Sequence, residues 1–294
     1  MERILELPTW SLGILVGLCV VAGIMRQQYR FLEAAGGFFP VAVVLAAAAC
    51  LAENSSIAWY GFYSYSSDWG IFLGHVPLHV VLIWPLFILG ELRYLREGLN
   101  IRVDFPGVAN NGEALALRAV FCFVDTVLLA NLVEIYCVSA GLWSWRQENC
   151  LGVPWMGAIG WAFFATPAVV VLSLVEGLGS DVSFSVWCLL GLPVVCLVVL
   201  HLGLALTWNA GGRELSSWVV SPWQEAAGIL ALQWLYQRFT KSLKQKPCLR
   251  LVEELPRVLA CGIVASLWLL KGRISLGVCA VSAASLVRML AFEL

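Results

Sequence analysis

Apolar runs of about 16 to 25 residues recur along this chain, at 10–25, 36–53, 70–92, 115–138, 155–175, 183–208, 216–236, 255–270 and 274–291. A helix of that length crosses a hydrocarbon core of about 30 Å. No ten-residue alternating pattern recurs, so a membrane β-barrel is set aside, and each span must satisfy its own backbone as a helix. The expectation is an all-α, polytopic transmembrane helix bundle of nine spans. Eight is the alternative count, because the last two runs are short and only Lys271-Gly272-Arg273 separates them. Composition agrees: 61% of residues are hydrophobic and 13% charged, which leaves too little surface charge for a soluble domain. The whole chain, 1–294, reads as one transmembrane domain.

Charge placement sets the expected orientation. Arg26 and Arg30 follow span 1, Arg93, Arg96, Arg102 and Arg118 follow span 3, and a basic cluster from Arg238 to Arg257 follows span 7. Bases in alternate connections mark the cytoplasmic side, so the N-terminus is expected outside, in a multi-pass protein of the cell membrane. The 5–6 connection, with Glu176 and Asp181 and no base, fits least well. Residues 93–114 read as a flexible cytoplasmic loop. The first run lacks the basic start and small-residue cleavage site of a secretory signal, so it is expected to stay as a span. With a net charge of −1 and no basic face, nucleic acid is not an expected partner; the lipid bilayer is. Most of the ten cysteines fall inside apolar runs without metal or redox spacing, and read as small core fillers.

Within this background one segment occurs twice. Glu53, then Gly61-Phe62-Tyr63-Ser64-Tyr65, then Val76-Pro77 and Trp84 are answered by Glu134, Gly141-Leu142-Trp143-Ser144-Trp145, Val153-Pro154 and Trp161. The copies span about 36–92 and 115–175, each a helix, an aromatic connection and a helix running in the same direction. An axis along the membrane normal would then bring the two glutamates to similar depth.

An intramembrane carboxylate with a counterpart is a functional candidate by default. Glu53 and Glu134 are therefore the expected catalytic pair. A carboxylic acid buried in apolar surroundings stays protonated more readily, so one member can serve as acid and the other as base. Trp59, Tyr63, Tyr65, Trp69, Trp84, Trp143, Trp145, Trp155 and Trp161 crowd the two copies. An interfacial aromatic belt needs no register, whereas these rings keep one, and aromatic faces stabilise a desolvated cation by about 2 kcal/mol or more. They are the expected substrate-binding wall, with His79 as a polar lining residue. Asp125, about two and a half turns before Glu134 and near its opposite face, either lines the same cavity deeper down or bonds another helix. Glu91 and Glu176 read as charges at span ends. His75 and His79 lie one turn apart, but Pro77 intervenes and no further ligand accompanies them, so no metal site is expected. His201, Asn209, Arg213 and Gln233 either line a cavity or, as lone polar residues in spans more often do, bond neighbouring helices. No phosphate loop, dinucleotide fingerprint or serine-hydrolase elbow occurs.

The pattern of glutamate, Gly-x-aromatic-x-aromatic, Val-Pro and Trp, carried by Glu53, Gly61, Tyr63, Tyr65, Val76, Pro77 and Trp84 and by Glu134, Gly141, Trp143, Trp145, Gly152, Val153, Pro154, Gly160 and Trp161, resembles the carotenoid biosynthesis protein family, which includes the carotenoid terminal hydratases. It covers about 110 residues. The resemblance implies a multi-pass enzyme acting on the end of a lipophilic isoprenoid. The expected chemistry is cofactor-independent hydration of a terminal C=C: a glutamate protonates the alkene, the aromatics hold the tertiary carbocation, and the other carboxylate delivers water. With water excluded the same apparatus makes a proton-initiated terpenoid cyclase, and a small transporter with midplane carboxylates is the non-enzymatic alternative.

Overall fold

The computed structural model describes residues 9–26, 29, 37–101, 103, 111–146, 153–178, 182–212 and 222–241. The architecture is all-α: seven α-helices among the described residues, joined by very short strands. The helices are α1 (Thr9–Arg26), α2 (Phe38–Tyr60), α3 (Leu78–Arg93), α4 (Asn111–Ser139), α5 (Trp155–Leu178), α6 (Val182–Thr207) and α7 (Pro222–Lys241). Between them lie β1 (Tyr63–Tyr65), β2 (Phe72–Leu73), β3 (Val76–Pro77) and β4 (Trp143–Trp145). The helices α2 to α6 supply five stretches long and apolar enough to cross a membrane, and the chain is a multi-pass membrane protein. The first run forms a shorter apolar helix. The seventh becomes α7, whose Gln224, Glu225, Gln237 and Arg238 leave it outside that set. The runs at 255–270 and 274–291 lie outside the described residues.

Two faces of α6 show how apolar helices are sorted. Trp187, Leu190, Val194, Val198, Leu202 and Leu206 recur every three to four residues and are exposed, while Leu189, Leu192, Cys196, Leu200 and Leu204 keep the same spacing and are buried. The first stripe is the face that lipid tails would cover; the second packs on α2 and α5. Helix α5 lies between α4 and α6, and α1 rests against α3.

Three boundaries differ from the sequence expectation. The polar Glu53-Asn54-Ser55-Ser56 does not end the second helix, which runs on to Tyr60. Asn54 and Ser55 are absorbed by helical carbonyls, Asn54 Nδ2 to Cys50 O at 2.7 Å and Ser55 Oγ to Ala52 O at 3.0 Å. Glu53 therefore sits about 10 Å inside the helix end. The third helix starts at Leu78 and not near 70, because 72–77 fold into a small hairpin. The 93–114 connection is not loop throughout: after α3 a π-helical turn covers Tyr94–Gly98, and Leu99, Ile101 and Val103 are buried.

At the end of the bundle away from the aromatic strands, α3, α4 and α5 are tied by charge. Arg118, fully buried, donates to Ile101 O (2.8 Å), Ser173 Oγ (2.8 Å) and Glu176 (2.7 Å), and Arg96 takes the other oxygen of Glu176 at 3.0 Å. Glu176, read from sequence as a span-end charge, instead bridges two arginines from the other connection.

Candidate functional site

Both α2 and α4 end in a glycine with positive φ, Gly61 at 57° and Gly141 at 68°. A side chain is strained there, and the turn sends each chain back across the mouth of the bundle. The two following segments, β1 and β4, then pair with each other. The register sets Tyr63 against Trp145, Ser64 against Ser144 and Tyr65 against Trp143. Ser66 N–H donates to Leu142 O (2.9 Å) and Arg146 N–H to Phe62 O (2.8 Å), one bond on each side of the central serine pair. Ser64 and Ser144 are also the middle residues of the two sequence motifs. Alternation along a strand puts both serines on the outer face and all four aromatic rings on the inner one.

Those rings hold the glutamates. Tyr63 and Tyr65 hydroxyls donate to Oε2 of Glu53, Tyr65 at 3.0 Å, and Trp84 Nε1 donates to Oε1 at 3.0 Å. Around Glu134, Trp143 Nε1 and Trp145 Nε1 both donate to Oε2, at 2.7 and 2.9 Å, with Trp161 a further, weaker partner. Each carboxylate thus takes its donors from the same three positions of its own motif. The sets differ in kind: tyrosine hydroxyls donate and accept, while indoles only donate. Tyr63 packs at a tilt against Trp145 and Trp84 against Trp161, each with ring centroids 4.8 Å apart, so the rings of the two motifs touch. The rings of Tyr63 and Tyr65 are half-buried, but their hydroxyls point inward. Burial, and after it the negative charge of Glu53, pushes both phenols well above their ordinary value of 10.

The glutamates and rings face one apolar cavity of about 180 Å³, walled also by Ile14 and Leu18 of α1 and by Leu200 and Leu204 of α6. A cavity of about 150 Å³ accepts benzene, so this one admits the end of an apolar chain and not a whole polyene.

The cavity gathers Glu53, Glu134, Tyr63, Tyr65, Trp69, Trp84, Trp143, Trp145 and Trp161. Trp69 reaches it from a 3-10 turn, pinned by Nε1 to Leu142 O at 3.0 Å. Four other candidates are not on its wall. Trp59, six residues after Glu53, is turned by about 240°; it is 67% exposed and packs on His201 at 4.4 Å. His79 is buried against α1, with Nε2 2.9 Å from Ser11 Oγ and 3.0 Å from Ser11 O. Asp125 is fully buried on α4 away from the cavity, and Trp155 is half-buried at the start of α5. Among the wall residues that the sequence reading missed, two stand out. Glu91 is buried and lines it; seven residues after Trp84, it lies on the same helix face about 10 Å deeper, and that heptad relation was the available signal. Gly157 is the other. A Cβ there would stand 2.6 Å from the Trp145 ring, so the absent side chain is what lets that indole lie against α5.

His201, expected to bond a neighbouring helix, does so: Nε2 meets Ser55 Oγ at 2.8 Å and Nδ1 meets Tyr60 OH at 3.0 Å, joining α6 to α2. Asn209 lies in the π-helical turn that follows α6, while Arg213 and the side chain of Gln233 lie outside the described residues. Within the described residues no three His, Cys, Asp or Glu side chains converge as a metal site would require.

Comparison with models of known protein families finds no match, and neither do comparisons with curated proteins and with solved structures.

Proposed function

We propose that this protein is a membrane-embedded, cofactor-independent enzyme that adds water to a terminal C=C of a long isoprenoid through a tertiary carbocation. The observation that carries the reading is the pair of matched but chemically unequal carboxyl groups on one apolar cavity. Both oxygens of Glu53 accept hydrogen bonds from Tyr63, Tyr65 and Trp84, an arrangement suited to an anion. The two strong donors of Glu134 fall on the same oxygen. Trp161 adds only a weaker bond, so Oε2 accepts both strong donors as a carbonyl does, and a proton on Oε1 meets no competing acceptor among the three indoles.

Glu134 is therefore the acid and Glu53 the base. The Oε1 proton of Glu134 passes to the CH carbon of a trisubstituted alkene, the π electrons form the C–H bond, and the positive charge is left on the dimethyl carbon. The faces of Tyr63, Trp84, Trp145 and Trp161 surround that charge. Water oxygen then bonds to the cationic carbon, and its surplus proton goes to Glu53. The product is a tertiary alcohol, one proton has moved from Glu134 to Glu53, and its return resets the site. Acid–base assistance supplies about 10²–10⁴-fold, and the fixed donor sets supply electrostatic preorganisation.

The carotenoid biosynthesis family stays part of this proposal as a resemblance. So do the internal repeat of α2–α3 and α4–α5, a total of eight or nine spans, and a cytoplasmic location for the Arg96–Glu176–Arg118 network. The network supports that orientation, since Glu176 neutralises the bases of the 3–4 connection and accounts for a 5–6 connection that lacks its own. The test is expression in a host accumulating linear carotenoids, with mass analysis of the pigments. Addition of one water by the wild type, lost in Glu53→Gln and in Glu134→Gln, supports hydration. A product of unchanged mass carrying a new ring reassigns the site as a cyclase, and full activity in both variants overturns the acid–base pair.

A further inference from the structure

The positions three residues after the two glutamates correspond, and both face the cavity: Ser56 after Glu53 and Cys137 after Glu134. An offset of three on a helix keeps both on the same side as their glutamates. One copy thus presents a hydroxyl where the other presents a thiol. The two positions are otherwise alike, each almost fully buried.

The hydroxyl of Ser56 is unusual among the polar groups of this wall. Tyr63, Tyr65, Trp84, Trp143 and Trp145 spend their donors on the glutamates, and Trp69 spends its own on Leu142 O. Next door, Ser55 is committed to Ala52 O and His201. Among the described residues no protein group bonds the Ser56 hydroxyl, although the residue is only 7% exposed. Ser56 lines the cavity with its hydrogen-bonding capacity unfilled by protein, and a water in the cavity able to bond both it and a neighbouring carboxylate would fill that capacity.

Resting on the hydratase reading, we propose that Ser56 holds the water molecule that captures the carbocation, with Glu53 taking its proton. The Ser56 hydroxyl donates to the water oxygen or accepts from it, Glu53 accepts the other hydrogen, and the free lone pair faces the cavity. Cys137 is a poorer hydrogen-bonding group, so the matching place beside Glu134 does not hold a competing water next to the acid. The serine–cysteine difference between the two copies thereby separates a wet side from a dry side. Without the water, the cation loses a methyl proton to Glu53 and gives an isomerised alkene of unchanged mass.

The experiment is product partition in cells making a linear polyene, comparing the wild type, Ser56→Ala, Ser56→Thr and Cys137→Ala. In Ser56→Ala the ratio of tertiary alcohol to isomerised alkene is expected to fall about tenfold or more while total substrate consumed changes less than about threefold. Ser56→Thr, which keeps the hydroxyl, is expected to restore the ratio, and Cys137→Ala to leave it unchanged. A wild type that hydrates its substrate while Ser56→Ala gives the same ratio overturns the assignment of Ser56 alone. A parallel loss of both products in Ser56→Ala, with the ratio unchanged, also overturns it, as a packing defect would produce that result. A wild type that converts no polyene overturns both this inference and the reading beneath it.

Discussion

Gly157→Ala tests the packing that aims Trp145 at Glu134, and it does so without any assumption about the reaction. The added Cβ would lie 2.6 Å from Cζ2 and 2.9 Å from Cη2 of the indole, against an ordinary contact of about 3.5–4.0 Å. The ring therefore has to retreat by roughly 1 Å. It cannot do so freely, because Nε1 is bonded to Glu134 at 2.9 Å and the ring rests on Tyr63 at 4.8 Å. Overpacking of this kind costs about 1–3 kcal/mol, equivalent to a melting shift of roughly 2–4 °C per kcal/mol for chains of about this size. Gly157 lies in the first turn of α5, and away from any clash alanine is favoured over glycine in a helix by about 0.5–1 kcal/mol. The substitution should therefore destabilise the wild type and stabilise, or leave unchanged, the Trp145→Ala background. The assay is thermal unfolding of the four proteins of this cycle in detergent. Equal destabilisation in both backgrounds would refute the claim that Gly157 acts through Trp145.

Three further outcomes follow from other contacts. In a spectrophotometric titration, Tyr63 and Tyr65 should stay un-ionised after the exposed phenols have titrated, since burial and Glu53 raise both above 10. The sign is fixed by linkage: the folded state keeps protons that the unfolded state loses, so stability present below about pH 10 declines as pH rises from the ordinary phenol value toward the folded one. Arg118→Met should destabilise by about 1–3 kcal/mol, because Ile101 O and Ser173 lose a fully buried donor while Glu176 keeps Arg96; a melting temperature within a degree of the wild type would contradict the bridge. Ser64→Cys with Ser144→Cys should form a disulfide on mild oxidation. The residues oppose each other in a hydrogen-bonded antiparallel pair, with Cα atoms about 5.5 Å apart and within disulfide reach. Failure to cross-link would place the two motifs apart.

How far the sequence spoke for the structure depends on which signal a residue carried. Apolar run length fixes a helical membrane class, because lipid leaves few alternatives for the backbone. The duplicated motif pointed to two glutamates that share one cavity and to six of the groups that bond them, since a pattern kept in register at two places reflects a shared geometry. Helical phase was the information least used. Trp59 sits in the aromatic box by sequence, yet a turn of about 240° from Glu53 carries it outward, and Glu91 was set aside as a span end although a heptad from Trp84 puts it on the wall. Boundaries failed where short polar side chains deceived: Asn54 and Ser55 look like a helix end and instead bond back to helical carbonyls. Contacts between distant segments, such as His79 with Ser11 and Glu176 with two arginines, leave no trace in local pattern.

The central claim is that a proton is delivered from a carboxyl group to carbon, and isotope labelling reads that transfer directly. Membranes carrying the wild-type protein would be incubated with a linear polyene in D₂O, and the product returned to ordinary water so that its hydroxyl exchanges back. The account predicts a tertiary alcohol with one deuterium fixed on the carbon next to the new C–O bond, absent with Glu134→Gln. An alcohol free of carbon-bound deuterium would contradict it.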